Sequence, residues 1–460
     1  MKNYLMAIDA GTGSVRAVLF DLKGNQIGCS QHEWTHNEDP RFPGSMDFDW
    51  KYNWELASGC VRNVLAETKI DPAEIAAIST TCMREGILLY DKDGNEIWAC
   101  ANVDARSNDE VAELIRMNPD LELELYKKSG QSYALNAIPR ILWVKNNMPD
   151  IYEKTAKIGM FNDWLIYKLT GVLAVEPSNG STTGLLDLQT RTWDTEIAAK
   201  CNLRTDIFPD ILECGSISGK VTAKGASETG LAEGTPVVVG GGDCQLGTIG
   251  VGACKPGEAA VFGGSFWQYE FNTESGKTDP YGRVRVNCHA VPGVWQYEAL
   301  AFKPGLVMRW FRDGFCQEEK RKAKEIGDDP YNLMNQEAEK IPAGCYGMMC
   351  CFSDIMNFIN WKHAAPTFTN FELLPEKFNK YTFYRSILEN TAMLVKGHIE
   401  LVKEATGNEP DKLIFAGGAS VSDLWSQILA DVTGKPVVTP VVKEATALGA
   451  AIIAGYGVGI

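Results

Sequence analysis

At 460 residues the chain exceeds the size at which single hydrophobic cores stop growing, about 250–300 residues, so two large domains are expected. A hydrophobic content of 45%, with 12 Trp and 18 Phe, fills two cores, and a charged content of 22% excludes wholesale disorder. A net charge of -15 excludes the basic footprint of a nucleic-acid binder but not an anionic ligand, which backbone N–H groups can hold without net basicity.

The predicted elements begin with a short buried strand, Tyr4–Ile8, followed by Asp9-Ala-Gly-Thr-Gly-Ser and a second strand over 15–20. Leu22-Lys-Gly-Asn is turn chemistry, and residues 26–30 return as a third strand. Residues 54–68 carry Leu56, Val61, Val64 and Leu65 at helical intervals. Residues 75–80 read as a strand and 87–90 as a further apolar run, while 140–147 and 151–169 read as helical. A unit like the first begins at Gly257: an apolar run leads into Gly263-Gly-Ser and then the aromatic stretch 266–271. Residues 412–415 form a strand ending in Ala416-Gly-Gly-Ala. The helix 423–433 then buries Trp425, Ile428, Leu429 and Val432, with Ser422 as N-cap and Gly434 just past its end. Alternating helices and strands predict an α/β protein, and the repeated strand–glycine-turn–strand unit predicts duplicated domains facing one another.

Thirteen cysteines contain no CxxC pair, and Cys350–Cys351 with Cys345 lacks zinc-ligand spacing. Reduced thiols in a cytoplasmic protein are expected. Five scattered histidines without HExxH argue against metal catalysis through a histidine cluster. The opening residues reach Asp9 too soon for a signal-peptide core, and the glycine-interrupted tail 448–460 is too short to span a bilayer, so no membrane contact is expected.

Four glycine-rich turns invite a phosphate reading: Gly11-Thr-Gly-Ser, Gly240-Gly-Gly-Asp, Gly263-Gly-Ser and Gly417-Gly-Ala-Ser. The P-loop pattern is absent, because Phe271 stands five residues before Gly276-Lys-Thr. Asp9 ends an apolar strand beside the first turn, where a carboxylate can hold hydrated Mg²⁺ against phosphates or simply cap its own turn. Asp243 follows the apolar run from Val237 and three glycines, at a strand's C-terminal end, and is the natural base for an attacking hydroxyl. Arg84-Glu85 precedes another apolar run; as donor and acceptor the pair suits a polyol in a cleft.

Together these residues resemble the FGGY family of carbohydrate kinases. Asp9 to Arg16 looks like its first phosphate motif. Pro139-Arg-Ile-Leu-Trp-Val-Lys looks like its first signature, with Arg140 where lysine is usual. The run from Gly417 to Asp431, with Glu444 to Ala451, is similar to its second signature; Leu169-Thr-Gly and Pro177-Ser-Asn fit the linking region. The resemblance runs from residue 4 to about 454. It implies two ribonuclease-H-like domains of the actin and Hsp70 superfamily, 1–247 and 248–460, with ATP and acceptor meeting in the cleft between them. Further segments, among them Pro43 to Asp49, Met83-Arg-Glu-Gly-Ile, Trp98 to Arg106, Met308 to Asp313, His363-Ala-Ala-Pro and Val441 to Gly449, are similar to a subgroup that acts on a signalling dione. That similarity implies phosphorylation of the C5 hydroxyl of 4,5-dihydroxypentane-2,3-dione.

The resemblance implies roles by position. Asp243 is the catalytic base and contacts substrate; Asp9 is the Mg²⁺-associated residue. Thr12, Gly13, Ser14 and Arg16 form the first phosphate loop. Gly264, where many members have threonine, and Ser265 form the second, which then relies on backbone N–H. Gly305, Arg309, Gly417, Gly418 and Ser422 contact the nucleotide, while Arg84, Glu85, Asp104, Gln245 and Trp267 contact the acceptor. Two departures stand out. The aromatic residue usual before the Asp-x-Arg element is absent, with Asn102 nearby, and the chain stops at Ile460 where members continue, so its end is native or a truncation. The resemblance leaves room for a homodimer and for regulation by sugar phosphotransfer proteins, and no residue marks either contact. Two other readings share these residues: a kinase of another sugar or polyol such as xylulose or glycerol, and an actin- or Hsp70-like nucleotide-gated interaction protein.

Overall fold

Two six-stranded sheets organise the chain in a computed structural model that describes residues 2–361, 364–442 and 444–460. His363 and Lys443, from two of the segments quoted above, lie outside the described residues. In the first sheet, β1 (Tyr4–Ala10), β2 (Ser14–Asp21) and β3 (Gln26–Glu33) form an antiparallel meander. Asp21 Oδ1 accepts from the amides of Lys23 and Asn25, and Gly24 takes φ 83°, which closes the second hairpin. β4 (Ile75–Cys82) adds parallel to β1, β5 (Ile217–Lys220) closes the far edge, and β6 (Pro236–Gly242) lies parallel to β4. The order is β3-β2-β1-β4-β6-β5.

The second sheet repeats this plan. Its strands are β7 (Ala259–Gly263), β8 (Trp267–Thr273), β9 (Arg285–Cys288), β10 (Trp295–Ala301), β11 (Leu413–Ala416) and β12 (Val437–Val438), ordered β9-β10-β8-β7-β11-β12. Without the edge strands β5 and β9, both sheets read third-second-first-fourth-fifth. Each glycine turn, Gly11–Gly13 and Gly263–Ser265, lies between the first two strands of its own sheet. The duplication expected from local sequence pattern is therefore present in the topology.

β1 is buried along nearly its whole length because both sheet faces are covered. Met6, Ile8 and Ala10 pack with helix α1 (Trp50–Thr68), while Leu5 and Ala7 face the opposite core, as the two-residue period of a strand requires. Asp49 caps α1 by accepting from the amides of Lys51 and Tyr52, and Trp54, Val61, Val64 and Leu65 form its buried stripe. Helix α2 (Ala137–Asn147) carries Arg140, and α3 (Asp243–Gly250) follows β6 directly. In the second half lie α4 (Pro304–Phe315), α5 (Lys380–Thr406), α6 (Asp423–Thr433) and α7 (Ala445–Gly457). The apolar tail is explained by α7, whose Ala447, Ala450, Ala451 and Ala454 cover the first sheet with Leu5 and Ala7. α3 and α7 cross with their backbones nearly touching: a Cβ on Gly250 would stand 1.9 Å from the Ala445 carbonyl oxygen, and one on Gly449 1.9 Å from that of Leu246. Among the described residues no helix is long and apolar enough to cross a membrane.

Two expectations are corrected. The helical stretch 151–169 is broken by a strand, Lys157–Met160, which pairs with Ile87–Tyr90 before the helix Phe161–Thr170 begins. Sheet pairing there overrides local helical pattern. Gly240-Gly-Gly-Asp is not a turn. Gly240–Gly242 are the last residues of β6, Gly241 and Gly242 pair with Thr81 and Cys82, and a Cβ on Gly240 would meet the Thr80 carbonyl oxygen at 1.7 Å. Glycine serves close strand approach at this position.

Candidate active site

The C-terminal end of β1 presents Asp9, which is 3% exposed. Its cross-strand partner Arg16 directs Nε and Nη2 onto Asp9 Oδ2 at 2.8 and 2.7 Å, and pairs with Glu444 through Nη1. Burial raises the Asp9 carboxyl above its usual range, and Arg16 offsets part of that rise. Beside it, the turn carbonyls are tied back into the protein: Trp34 Nε1 donates to Gly11 O at 3.0 Å, and His36 Nε2 lies 2.8 Å from Thr12 O. Thr12 and Gly13 stay exposed, and Asn102 Nδ2 donates to Thr12 Oγ1 at 2.9 Å. Asn102, noted in the sequence only as a departure, thus braces the first turn.

Asp243 opens α3 at the end of β6, with 35% of its side chain open and Arg84 Nε 3.5 Å from Oδ1. The surrounding protein pushes its carboxyl up to about 6. Desolvation is the main cause, the negative charges of Glu85 and Asp9 add to it, and Arg84 works against it. A carboxylate poised there is suited to accept a hydroxyl proton near neutral pH. Its backbone is positioned by Ser178, whose Oγ accepts from Gly242 N at 3.0 Å and donates to Glu176 Oε2 at 2.5 Å. Glu176 also accepts from the amides of Ser178 and Asn179, and burial pushes its carboxyl up to about 7. Pro177-Ser-Asn read as linker in the sequence; folding makes it a brace for the base.

Arg84 and Glu85 are engaged rather than solvated. Arg84 is 6% exposed and pairs through Nη1 with Glu298 at 2.5 Å, while Glu85 Oε1 lies 2.6 Å from Arg285 Nη2, whose Nη1 is 3.3 Å from Glu298. This chain of four charges links the loop after β4 to β9 and β10 of the second sheet. Burial would raise Glu298, but Arg84 and Arg285 outweigh it and hold the carboxyl below its usual range. Glu85 adopts φ 65°, outside the usual range for a side-chain-bearing residue. Arg140 holds that loop by donating to the carbonyls of Glu85, Asn102 (2.6 Å) and Asp104 (3.1 Å). A guanidinium's several donors suit this task better than an ammonium.

The other acceptor residues divide. Gln245 is fully buried and donates to Gln296 Oε1 at 2.9 Å, within the same interdomain layer. The Asp104 carboxylate is already engaged by Arg106 Nε at 2.8 Å and the Met46 amide at 2.6 Å. Trp267 does not join them. It packs in the second core, with ring centroids 5.0 Å from Phe415 and 4.6 Å from Trp425. The strand alternation that turns Trp267 inward points Gln268, its neighbour, toward Cys244 Sγ at 3.5 Å.

In the second half, Gly264, Ser265, Gly305, Arg309, Gly418 and Ser422 line one cavity of about 590 Å³. Gly417, also expected at the nucleotide, lies behind this lining, and two glycines let the backbone segments approach closely. A Cβ on Gly305 would stand 2.0 Å from the Gly264 carbonyl oxygen, and Gly417, at φ 90°, would place one 2.7 Å from that of Gly263. The Gly264 N–H is used within the turn, donating to Phe266 O at 3.0 Å, which leaves Ser265 as the turn's lining polar residue. Ser422 Oγ caps α6, accepting from Trp425 N at 3.2 Å and from Asn335 Nδ2 at 3.0 Å. Tyr331, Asn332, Asn335 and Val421 also line the cavity and escaped the sequence reading, because no local motif surrounds them. Val421 is 82% exposed, an apolar surface suited to the flat face of a base.

The donor set fits Mg²⁺: Asp9 and Asp243 are carboxylates at strand ends, each beside one guanidinium, Arg16 and Arg84, and the Asp9 charge adds to the rise at Asp243.

Family models match both halves: the FGGY family of carbohydrate kinases N-terminal domain over residues 4–250, and its C-terminal domain over 272–458. The chain is 51% identical over 459 residues to a protein of Yersinia enterocolitica named autoinducer-2 kinase, covering 100% of this chain and 87% of that protein. A Salmonella paratyphi B protein of the same name is 50% identical over 459 residues, with 100% and 87% coverage. Among solved structures, the xylulose kinase of Rhodospirillum rubrum matches with a TM-score of 0.87 at 23% identity, covering 99% of this chain and 90% of that one. The glycerol kinase of Plasmodium falciparum with ADP matches with a TM-score of 0.85 at 22% identity, with 99% and 90% coverage. At those identities the structures establish the fold, and the family models together with the relatives establish that this chain belongs to the FGGY family of carbohydrate kinases.

Proposed function

We propose that the protein transfers the γ-phosphoryl group of ATP to the C5 hydroxyl of autoinducer-2, 4,5-dihydroxypentane-2,3-dione, and that it does so in the cytoplasm. The acceptor is supported by the name shared by relatives 50–51% identical over the whole chain. The observation that carries the chemistry is Asp243, a partly open carboxylate raised to about 6 at the end of β6, beside Arg84 and within reach of the Asp9 charge. Thirteen free cysteines suit a reducing compartment.

In this reading residues 1–247 supply the acceptor site and first phosphate turn, and 248–460 hold the nucleotide, with α7 returning to brace the first sheet. Asp243 accepts the proton of the attacking hydroxyl. Arg84 and Glu85 orient the acceptor, while the Gly11–Gly13 and Gly263–Ser265 turns steady the phosphates through N–H and hydroxyl donors. Mg²⁺ bound near Asp9 would supply neutralisation of phosphate charge. Arg16 keeps the Asp9 carboxylate oriented for that task.

ADP release measured against the dione, xylulose, ribulose and glycerol tests the acceptor. The highest kcat/KM is expected for the dione, and a higher value for any other member overturns it. Asp243→Asn should lower kcat by about 10²–10⁴ with nucleotide affinity retained; wild-type turnover in that variant would exclude Asp243 as the base.

A further inference from the structure

One buried acid has no part in the chemistry above. Glu270 lies in the middle of β8, fully buried, and neither of its carboxyl oxygens has a hydrogen-bond partner among the described residues. Strand alternation turns Trp267, Tyr269 and Phe271 into the second core and leaves Gln268, Glu270 and Asn272 on the other face, toward the interdomain layer. Glu270 is therefore on the face of β8 that meets Cys244 and the layer of Arg84 and Glu298. It is directly opposite Glu298 in the β8–β10 pairing, and donor atoms of Cys244, Glu270 and Glu298 lie within 4.8 Å of one another. Cys244 immediately follows the proposed base.

The charges facing Glu270 decide its state. They are Glu298 from β10, Arg285 from β9, Arg84 from the loop after β4, and Asp243 beside Cys244 on α3. Both guanidiniums pair with Glu298, which keeps that carboxylate ionised. Burial and the adjacent Glu298 charge then raise Glu270 well above the usual carboxyl range, which favours its protonated form. The same two guanidiniums oppose a metal cation at this trio of side chains. A neutral carboxyl is a hydrogen-bond donor, and a buried donor without a partner calls for a ligand that supplies one.

We propose that Glu270 is an acceptor-recognition residue whose carboxyl O–H donates a hydrogen bond to a carbonyl oxygen of the phosphoryl acceptor. The inference rests on the kinase reading of the same site and names the chemical class it selects: acceptors with a ketone near the reacting hydroxyl. Plain polyols offer hydroxyl groups in its place, which a carboxylate would suit better than an acid.

The test uses the full chain with Glu270→Gln, which keeps a donor of similar shape, and Glu270→Leu, which keeps volume without one. KM is measured for ATP, for the dione, for xylulose, and for the tetrol made by reducing both carbonyls of the dione. Glu270→Leu should raise KM for the carbonyl acceptors about tenfold relative to the tetrol and leave ATP KM within about twofold, while Glu270→Gln stays close to wild type. Equal changes for carbonyl and reduced acceptors, or an equal rise for ATP, would overturn the proposal. Infrared difference spectra provide a measurement that needs no folded leucine variant. Acceptor binding should shift the C=O band of a protonated carboxyl, and the band should vanish in E270Q; no such band overturns the proposal. A wild-type preference for xylulose over the dione would overturn the autoinducer-2 assignment yet support carbonyl selection by Glu270. A preference for the tetrol would overturn both.

Discussion

The two glycine turns occupy equivalent places in a duplicated sheet, yet they are built for different work. The first follows Asp9 and faces Arg16, so charge is concentrated at the end of β1. Its glycine at position 13 has open space where a Cβ would be. The second follows Phe262-Gly263, carries no acid, and is wedged against α4 and the β11 end through Gly305 and Gly417. In the proposed reading the first turn handles protons and phosphate charge, while at the second close backbone approaches at Gly305 and Gly417 leave no room for side chains beside the cavity that would hold the nucleotide. Identical topology thus says little about chemistry, which depends on which side chain ends each strand.

Two glycine substitutions and a pH titration test this contrast. Gly305→Ala should have the largest effect, because its Cβ would stand 2.0 Å from backbone that cannot rotate away. Overpacking of about 1–3 kcal/mol corresponds to nucleotide binding weakened about 5- to 150-fold, measurable by titration with ADP. Unchanged ADP affinity would show that the second turn does not need its tight packing. Acidification should come next and act on the other half. Asp243, raised to about 6, is ionised above that pH and protonated below it, so kcat/KM should fall about tenfold per unit below pH 6, where an ordinary carboxylate would still be charged. ADP affinity across the same range should stay nearly level, since the cavity glycines and Ser265 do not titrate there; a parallel fall would remove the distinction between the halves. The smallest effect belongs to Gly13→Ala, which meets nothing within 4 Å and should change stability by no more than about 0.5 kcal/mol. A loss of melting temperature comparable with that of Gly305→Ala would show that the first turn is packed as tightly as the second.

Elements defined by local pattern were legible in the sequence. The helix 423–433, its Ser422 cap and Gly434 end appear as expected because capping and a helical apolar stripe are local properties. The strand ending in Asp9 and the strand before Asp243 were legible for the same reason. Misreadings arose where partners were distant. Residues 157–160 became a strand because Ile87–Tyr90 offered it a ladder, and Gly240–Gly242 became strand because β4 approaches too closely for any side chain. Strand alternation likewise puts Trp267 in the second core and Gln268 and Glu270 on the opposite face of β8, which chain position alone does not reveal.

Residue order and composition therefore established the α/β class, the duplicated unit, and, through motif resemblance, the family. Folding decided the rest. Arg84 and Glu85 acquired Glu298 and Arg285 as partners from more than 190 positions away, Glu176 and Ser178 became supports for Asp243, and Asn102 came to rest on Thr12. Such pairs carry no mark in local sequence, because burial and charge compensation are properties of the space between segments. The raised carboxyl of Asp243 belongs to that space, and so does that of Glu270, unpartnered among the described residues.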